Sequence, residues 1–118
     1  MLKTILLSSL FLVTFTFLGT SPVLSQFYDG KELVQLMREF EKAQRSDASA
    51  NMTQAAFYNG SVLGICDSVS SSLCPSVNVT AGRVSTVVAQ YINNHPSEWG
   101  KPAYELVLRA LSATFSCK

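Results

Sequence analysis

The chain has 118 residues, of which 47% are hydrophobic and 14% charged, with nine Lys and Arg against eight Asp and Glu. That size suits one domain with one modest core. A near-neutral balance argues against a partner that is nucleic acid or an anionic membrane surface.

Residues 1–25 read as an export signal. Lys3 supplies the positive start, Ile5 to Leu18 an apolar run broken only by Ser and Thr, and Val23-Leu24-Ser25 a small-x-small cleavage site. The alternative is a membrane anchor, but the run falls short of the roughly 18–20 residues a spanning helix needs, and Pro22 follows it. Cleavage after Ser25 removes Lys3 and leaves residues 26–118 as one domain with eight basic and eight acidic side chains. The expected product is soluble, periplasmic or secreted, and free of the membrane once the signal is gone.

Four helices and no convincing strand can be read in residues 26–118. The first starts at Asp29, with Glu32 three residues on completing a capping box. Leu33, Leu36, Met37 and Phe40 then recur at i, i+3, i+4, i+7 and define its apolar face. A polar loop, 45–50, follows. The second helix spans about Met52 to Val69, capped by Asn51 or Ser49, with Ala55, Ala56, Phe57, Val62, Leu63 and Ile65 as its apolar content. Gly60 and Gly64 lie one turn apart. Each costs about 1 kcal/mol inside a helix relative to alanine, so they are expected to leave a groove for the close approach of another helix.

The longest loop covers Ser68 to Asn78 and is the richest in serine; such loops sit on the surface and often carry recognition, and composition alone fits a plain connector equally well. The third helix starts at the cap residue Thr80. Val84, Val87, Val88 and Tyr91 repeat with helical period, Ile92 widens the stripe, and Asn93-Asn94-His95-Pro96 ends it. The fourth begins near Pro102 and buries Ala103, Leu106, Val107, Ala110, Leu111 and Phe115, while Glu105 and Arg109 form an exposed i, i+4 pair.

The cysteines number three: Cys66, Cys74 and Cys117. An oxidising compartment makes disulfides the default there. Pairing Cys74 with Cys117 closes a loop of about 43 residues, worth up to roughly 4 kcal/mol in the chain-entropy model. Pairing Cys66 with Cys74 closes a shorter loop and stabilises less. The first pairing is favoured, leaving Cys66 as a buried thiol or an intermolecular one. The cysteines lack metal-ligand spacing, and no cofactor motif occurs. His95 is the sole histidine, placed as a helix-end or surface residue, with no Asp or Asn spaced to orient it as a base for Cys66. No catalytic residue is therefore assigned, and the chain is read as a non-enzymatic, disulfide-stapled, all-α bundle. Sequons occur at Asn51, Asn59 and Asn78.

Tyr28-Asp29-Gly30-Lys31-Glu32-Leu33, Gly60-x-x-x-Gly64-Ile65-x-Asp67, Cys74-Pro75 with Val79-Thr80, Tyr91-x-x-x-His95-Pro96 and the run from Ala103 to Cys117 together resemble the Rap/Tai family of type VI secretion immunity proteins. The likeness spans nearly the whole of residues 26–118. The pattern departs in Pro75 following Cys74 directly, in Ser116 standing where proline is usual, and in the added Cys66. Many members also carry a second cysteine pair; the corresponding positions here hold Met37 and Tyr58, which favours Cys74 with Cys117 as the disulfide.

The resemblance implies a periplasmic protein, often a homodimer, that blocks a peptidoglycan amidase injected by a neighbouring cell, by inserting a loop into its active-site cleft. The candidate partner-binding loop comprises Asp67, Ser68, Ser70, Ser71, Ser72, Leu73, Pro75 and Ser76. Two other readings stand beside it. One is a periplasmic helical chaperone of the acid-stress kind, disfavoured by the small number of carboxylates. The other is a secreted helical binding protein without an amidase partner.

Overall fold

A computed structural model describes residues 28–73 and 79–116. The expected signal peptide and both cysteines of the favoured disulfide, Cys74 and Cys117, lie outside the described residues. Among those described, four α-helices follow in order: α1 (Gly30–Gln44), α2 (Met52–Ser68), α3 (Ala81–Asn94) and α4 (Ala103–Phe115). Short 3-10 turns at Ser70–Ser72 and Pro96–Glu98 interrupt the connections, and the only strand-like features among these residues are two isolated bridges. No described helix is long and apolar enough to cross a membrane.

Local chemistry sets the helix starts. The Asp29 carboxylate accepts from the Glu32 N–H at 2.8 Å and the Glu32 carboxylate accepts from the Asp29 N–H at 3.0 Å, a complete capping box. Asn51 caps α2 through its bond from the Gln54 N–H, and Thr80 caps α3 through the Arg83 N–H. Between α1 and α2, Asp47 accepts from the backbone and hydroxyl of Ser49, while Glu39 accepts from the Asn51 N–H at 2.7 Å. These bonds hold both carboxyls below their ordinary range.

One core joins all four helices. Leu33, Val34, Met37 and Phe40 of α1 meet Ala55, Tyr58 and Val62 of α2, Val84, Val88 and Ile92 of α3, and Leu106, Val107, Ala110 and Leu111 of α4. Val34, not Leu36, completes the α1 face, and Leu36 packs at its margin. Met37 and Tyr58 are both fully buried. Tyr58 stacks obliquely on Phe40, with ring centroids 4.9 Å apart, and its hydroxyl donates to the Ser85 carbonyl at 2.9 Å. The Ser85 hydroxyl donates to the Asn59 side-chain carbonyl, so the buried polar groups where α2 meets α3 satisfy one another. Burial pushes the Tyr58 hydroxyl far above the ordinary tyrosine range.

Residues 28–30 are tied to the α3–α4 connection. The Gly30 N–H donates to the Lys101 carbonyl at 2.8 Å, the Ala103 N–H to the Tyr28 carbonyl at 3.2 Å, and Asp29 bridges Pro102. A side chain at Gly30 would strike the Trp99 carbonyl at 2.4 Å and the Lys101 carbonyl at 2.9 Å. Glycine is required there by the closeness of the backbone, since its φ is not positive.

The expectation for Gly60 and Gly64 is overturned. A Cβ added at either meets nothing within 4 Å. Ala55, Tyr58 and Val62 turn the opposite side of α2 inward, which leaves the glycines on the outer face with Ala56 and Phe57.

Candidate partner-binding site

The serine-rich segment is built on the end of α2. The helix runs through Asp67 and Ser68, close to the expected end at Val69, and Ser70–Ser72 then forms a 3-10 turn inside the segment expected as loop. Two hydroxyls satisfy the exposed helix end: Ser68 donates to the Ile65 carbonyl at 2.7 Å and Ser70 to the Asp67 carbonyl at 3.1 Å. Asp67, Ser68, Ser70, Ser71 and Ser72 are all exposed. Leu73 turns inward at 9% exposure and bridges Ser116 in antiparallel sense, so it anchors the segment to the end of α4. Pro75 and Ser76 lie outside the described residues.

The electrostatics of this end are sparse. Between Asp47 and Arg83 the only charged side chain is Asp67, and no ion pair engages it among the described residues. The surface therefore offers one uncompensated carboxylate beside hydroxyls, against a neutral helix. Such a set can accept hydrogen bonds from a cationic or N–H donor and can donate through serine.

Cys66 is half-buried against the core and free among the described residues. Burial, with a smaller contribution from the neighbouring Asp67 charge, pushes its thiol above the ordinary range, which lowers its thiolate fraction and its reactivity. The other two cysteines, Cys74 and Cys117, lie outside the described residues.

The sole histidine caps α3. Its Nδ1–H donates to the Tyr91 carbonyl at 2.7 Å and its ring stacks on Tyr91 at 3.9 Å. A surface network that sequence spacing only half discloses lies alongside: Glu98 accepts from the Tyr91 hydroxyl and pairs with Arg109, which also binds Glu105 at 2.9 Å. The indole N–H of Trp99 donates to the Ile92 carbonyl and its ring lies under the Arg38 guanidinium. Two sequon asparagines have structural duties, Asn51 as a helix cap and Asn59 as the acceptor for Ser85. No group of three His, Cys, Asp or Glu side chains among the described residues could hold a metal ion.

The described residues form a small all-α module with one core and a serine-lined end. Residues 29–117 match the family model of the Rap1a immunity proteins, and the chain belongs to that family. No curated protein and no solved structure matches it.

Proposed function

We propose that this chain is a periplasmic immunity protein that binds and inhibits a peptidoglycan amidase effector of a type VI secretion system. Membership of the immunity family over residues 29–117 carries the reading. Proteins of this kind act by occupying a partner, and the partner here is a protein. The exposed segment of Asp67, Ser68, Ser70, Ser71 and Ser72 is the part that meets the amidase, with Leu73 as its anchor and Pro75 and Ser76 continuing it. Its support is physical: the segment is fixed at one end by the last turn of α2 and at the other by Leu73, so little ordering entropy is lost on binding. The Cys74–Cys117 disulfide would brace that anchor further.

The chaperone reading is less well supported. The carboxylates of Glu39, Asp47 and Glu105 are held in their charged form by surface hydrogen bonds, so acid loosens surface contacts and uncovers little apolar area.

The test uses purified residues 26–118 and peptidoglycan amidases, including the product of any amidase gene beside this one. Wild-type protein should suppress hydrolysis of a stem-peptide substrate by one of them at equimolar ratio. Joint replacement of Ser70, Ser71 and Ser72 by alanine, with Asp67→Ala, should relieve that suppression. Full inhibition by this variant would remove the segment from the interface.

A further inference from the structure

Among the described residues, the outer face of α2 is a stripe that nothing packs against. Thr53, Ala56, Phe57, Gly60 and Gly64 are all exposed, Phe57 by 54% and the adjoining Met52 by 67%. Thr53, Ala56, Phe57, Gly60 and Ser61 line an open groove of about 470 Å³. That face is continuous with the serine segment. At 100° per residue, Asp67 and Ser68 fall in the same sector as Phe57, Gly60 and Gly64. From Gly60 to Ser68 the helix advances only about 12 Å.

Size and charge say what covers it. A stable protein interface takes roughly 800 Å² from each partner, some 20–30 residues a side, and the five exposed residues of the segment are far too few. A partner seated on them must extend over neighbouring surface, and the α2 stripe lies directly in line. The stripe carries no charge before Asp67, so it matches an uncharged, apolar patch; a partner's charge buried there would find no counter-ion. A second copy of this chain laid along the same stripe would also cover Asp67 and Ser68, and so obstruct the segment.

We infer that the α2 stripe is the second half of the effector interface, its groove receiving an uncharged aliphatic or aromatic side chain of the amidase. This rests on the function proposed above and extends it to a surface distinct from the serine turn.

Gly60→Leu fills the groove from a position where an added Cβ meets nothing, so the variant should fold. Its thermal midpoint and circular dichroism check that directly. The assay is inhibition of the amidase that the wild-type chain inhibits, together with sedimentation of each protein alone. The expected result is a monomer-to-oligomer balance unchanged from wild type and inhibition weakened at least tenfold, with Phe57→Ala weakening it to a lesser extent. Inhibition by folded Gly60→Leu equal to wild type would overturn the inference. So would a wild-type dimer that Gly60→Leu splits, which would make the stripe a contact between copies. Failure of the wild-type chain to inhibit any amidase would instead refute the function itself, and the inference with it.

Discussion

The same substitution should act with opposite sign at two glycines of this fold. At Gly30 an alanine Cβ would sit 2.4 Å from the Trp99 carbonyl, 2.7 Å from Leu106 Cδ1 and 2.9 Å from the Lys101 carbonyl. Two of those atoms are backbone and cannot rotate away. Relief requires the start of α1 to move from the α3–α4 connection, which strains the Gly30–Lys101 and Ala103–Tyr28 hydrogen bonds. Overpacking costs about 1–3 kcal/mol, and a weakened hydrogen bond adds about 1 kcal/mol. The helix-propensity gain is at most about 1 kcal/mol and smaller in a first turn. Gly30→Ala should therefore cost about 2–3 kcal/mol, or roughly 10–20 °C in Tm for a domain of this size. Gly60→Ala meets nothing within 4 Å and should stabilise by up to about 1 kcal/mol. Urea and thermal unfolding of residues 26–118 with each substitution measures both. A Gly30→Ala protein as stable as wild type would refute the close approach of the α1 start to the α3–α4 connection. A destabilised Gly60→Ala would refute the outward placement of the α2 stripe.

Tyr58→Phe removes the donor to the buried Ser85 carbonyl and should cost about 1–2 kcal/mol by urea unfolding. Because Tyr58 is held protonated in the folded chain well above the ordinary tyrosine range, stability should fall as pH rises past about 10, where the unfolded chain ionises; the Phe variant should lose that part of the alkaline slope. In acid the sign reverses: Glu39, Asp47 and Glu105 titrate below their ordinary values when folded, so their contribution is present above the unfolded carboxylate range and is lost as pH falls through the folded values. A urea midpoint that rose between neutral pH and pH 3 would contradict this. Thiol titration of the denatured, unreduced protein should find one free thiol, that of Cys66. Three would dismiss the Cys74–Cys117 disulfide, whose loss in a double serine variant should otherwise cost up to roughly 4 kcal/mol.

Where a structural feature depends on residues close in sequence, it was legible. Asp29 and Glu32 cap α1 because both partners lie within one turn, and the same holds for Asn51, Thr80 and the Glu105–Arg109 pair. The stripes of α3 and α4 were readable because polar residues mark their outer faces. The orientation of α2 was not, since a helix with no charge before Asp67 has nothing to label its solvent side. Tyr58 went inward while Phe57 and Ala56 stayed outside, a choice decided by Phe40 and by the Ser85 carbonyl, 27 residues away. Gly60 and Gly64 followed that rotation outward. The composition of the candidate segment was visible in its serines, but its anchoring was not, because the inward turn of Leu73 depends on Ser116, far off in sequence.

Inhibition of a peptidoglycan amidase by the purified chain is the most direct measurement. Residues 26–118 at equimolar ratio should abolish hydrolysis by one amidase, and the alanine variant at Asp67, Ser70, Ser71 and Ser72 should restore most of the rate while remaining folded by circular dichroism. Undiminished hydrolysis in the presence of excess folded wild-type protein, across every amidase tried, would contradict the proposed function.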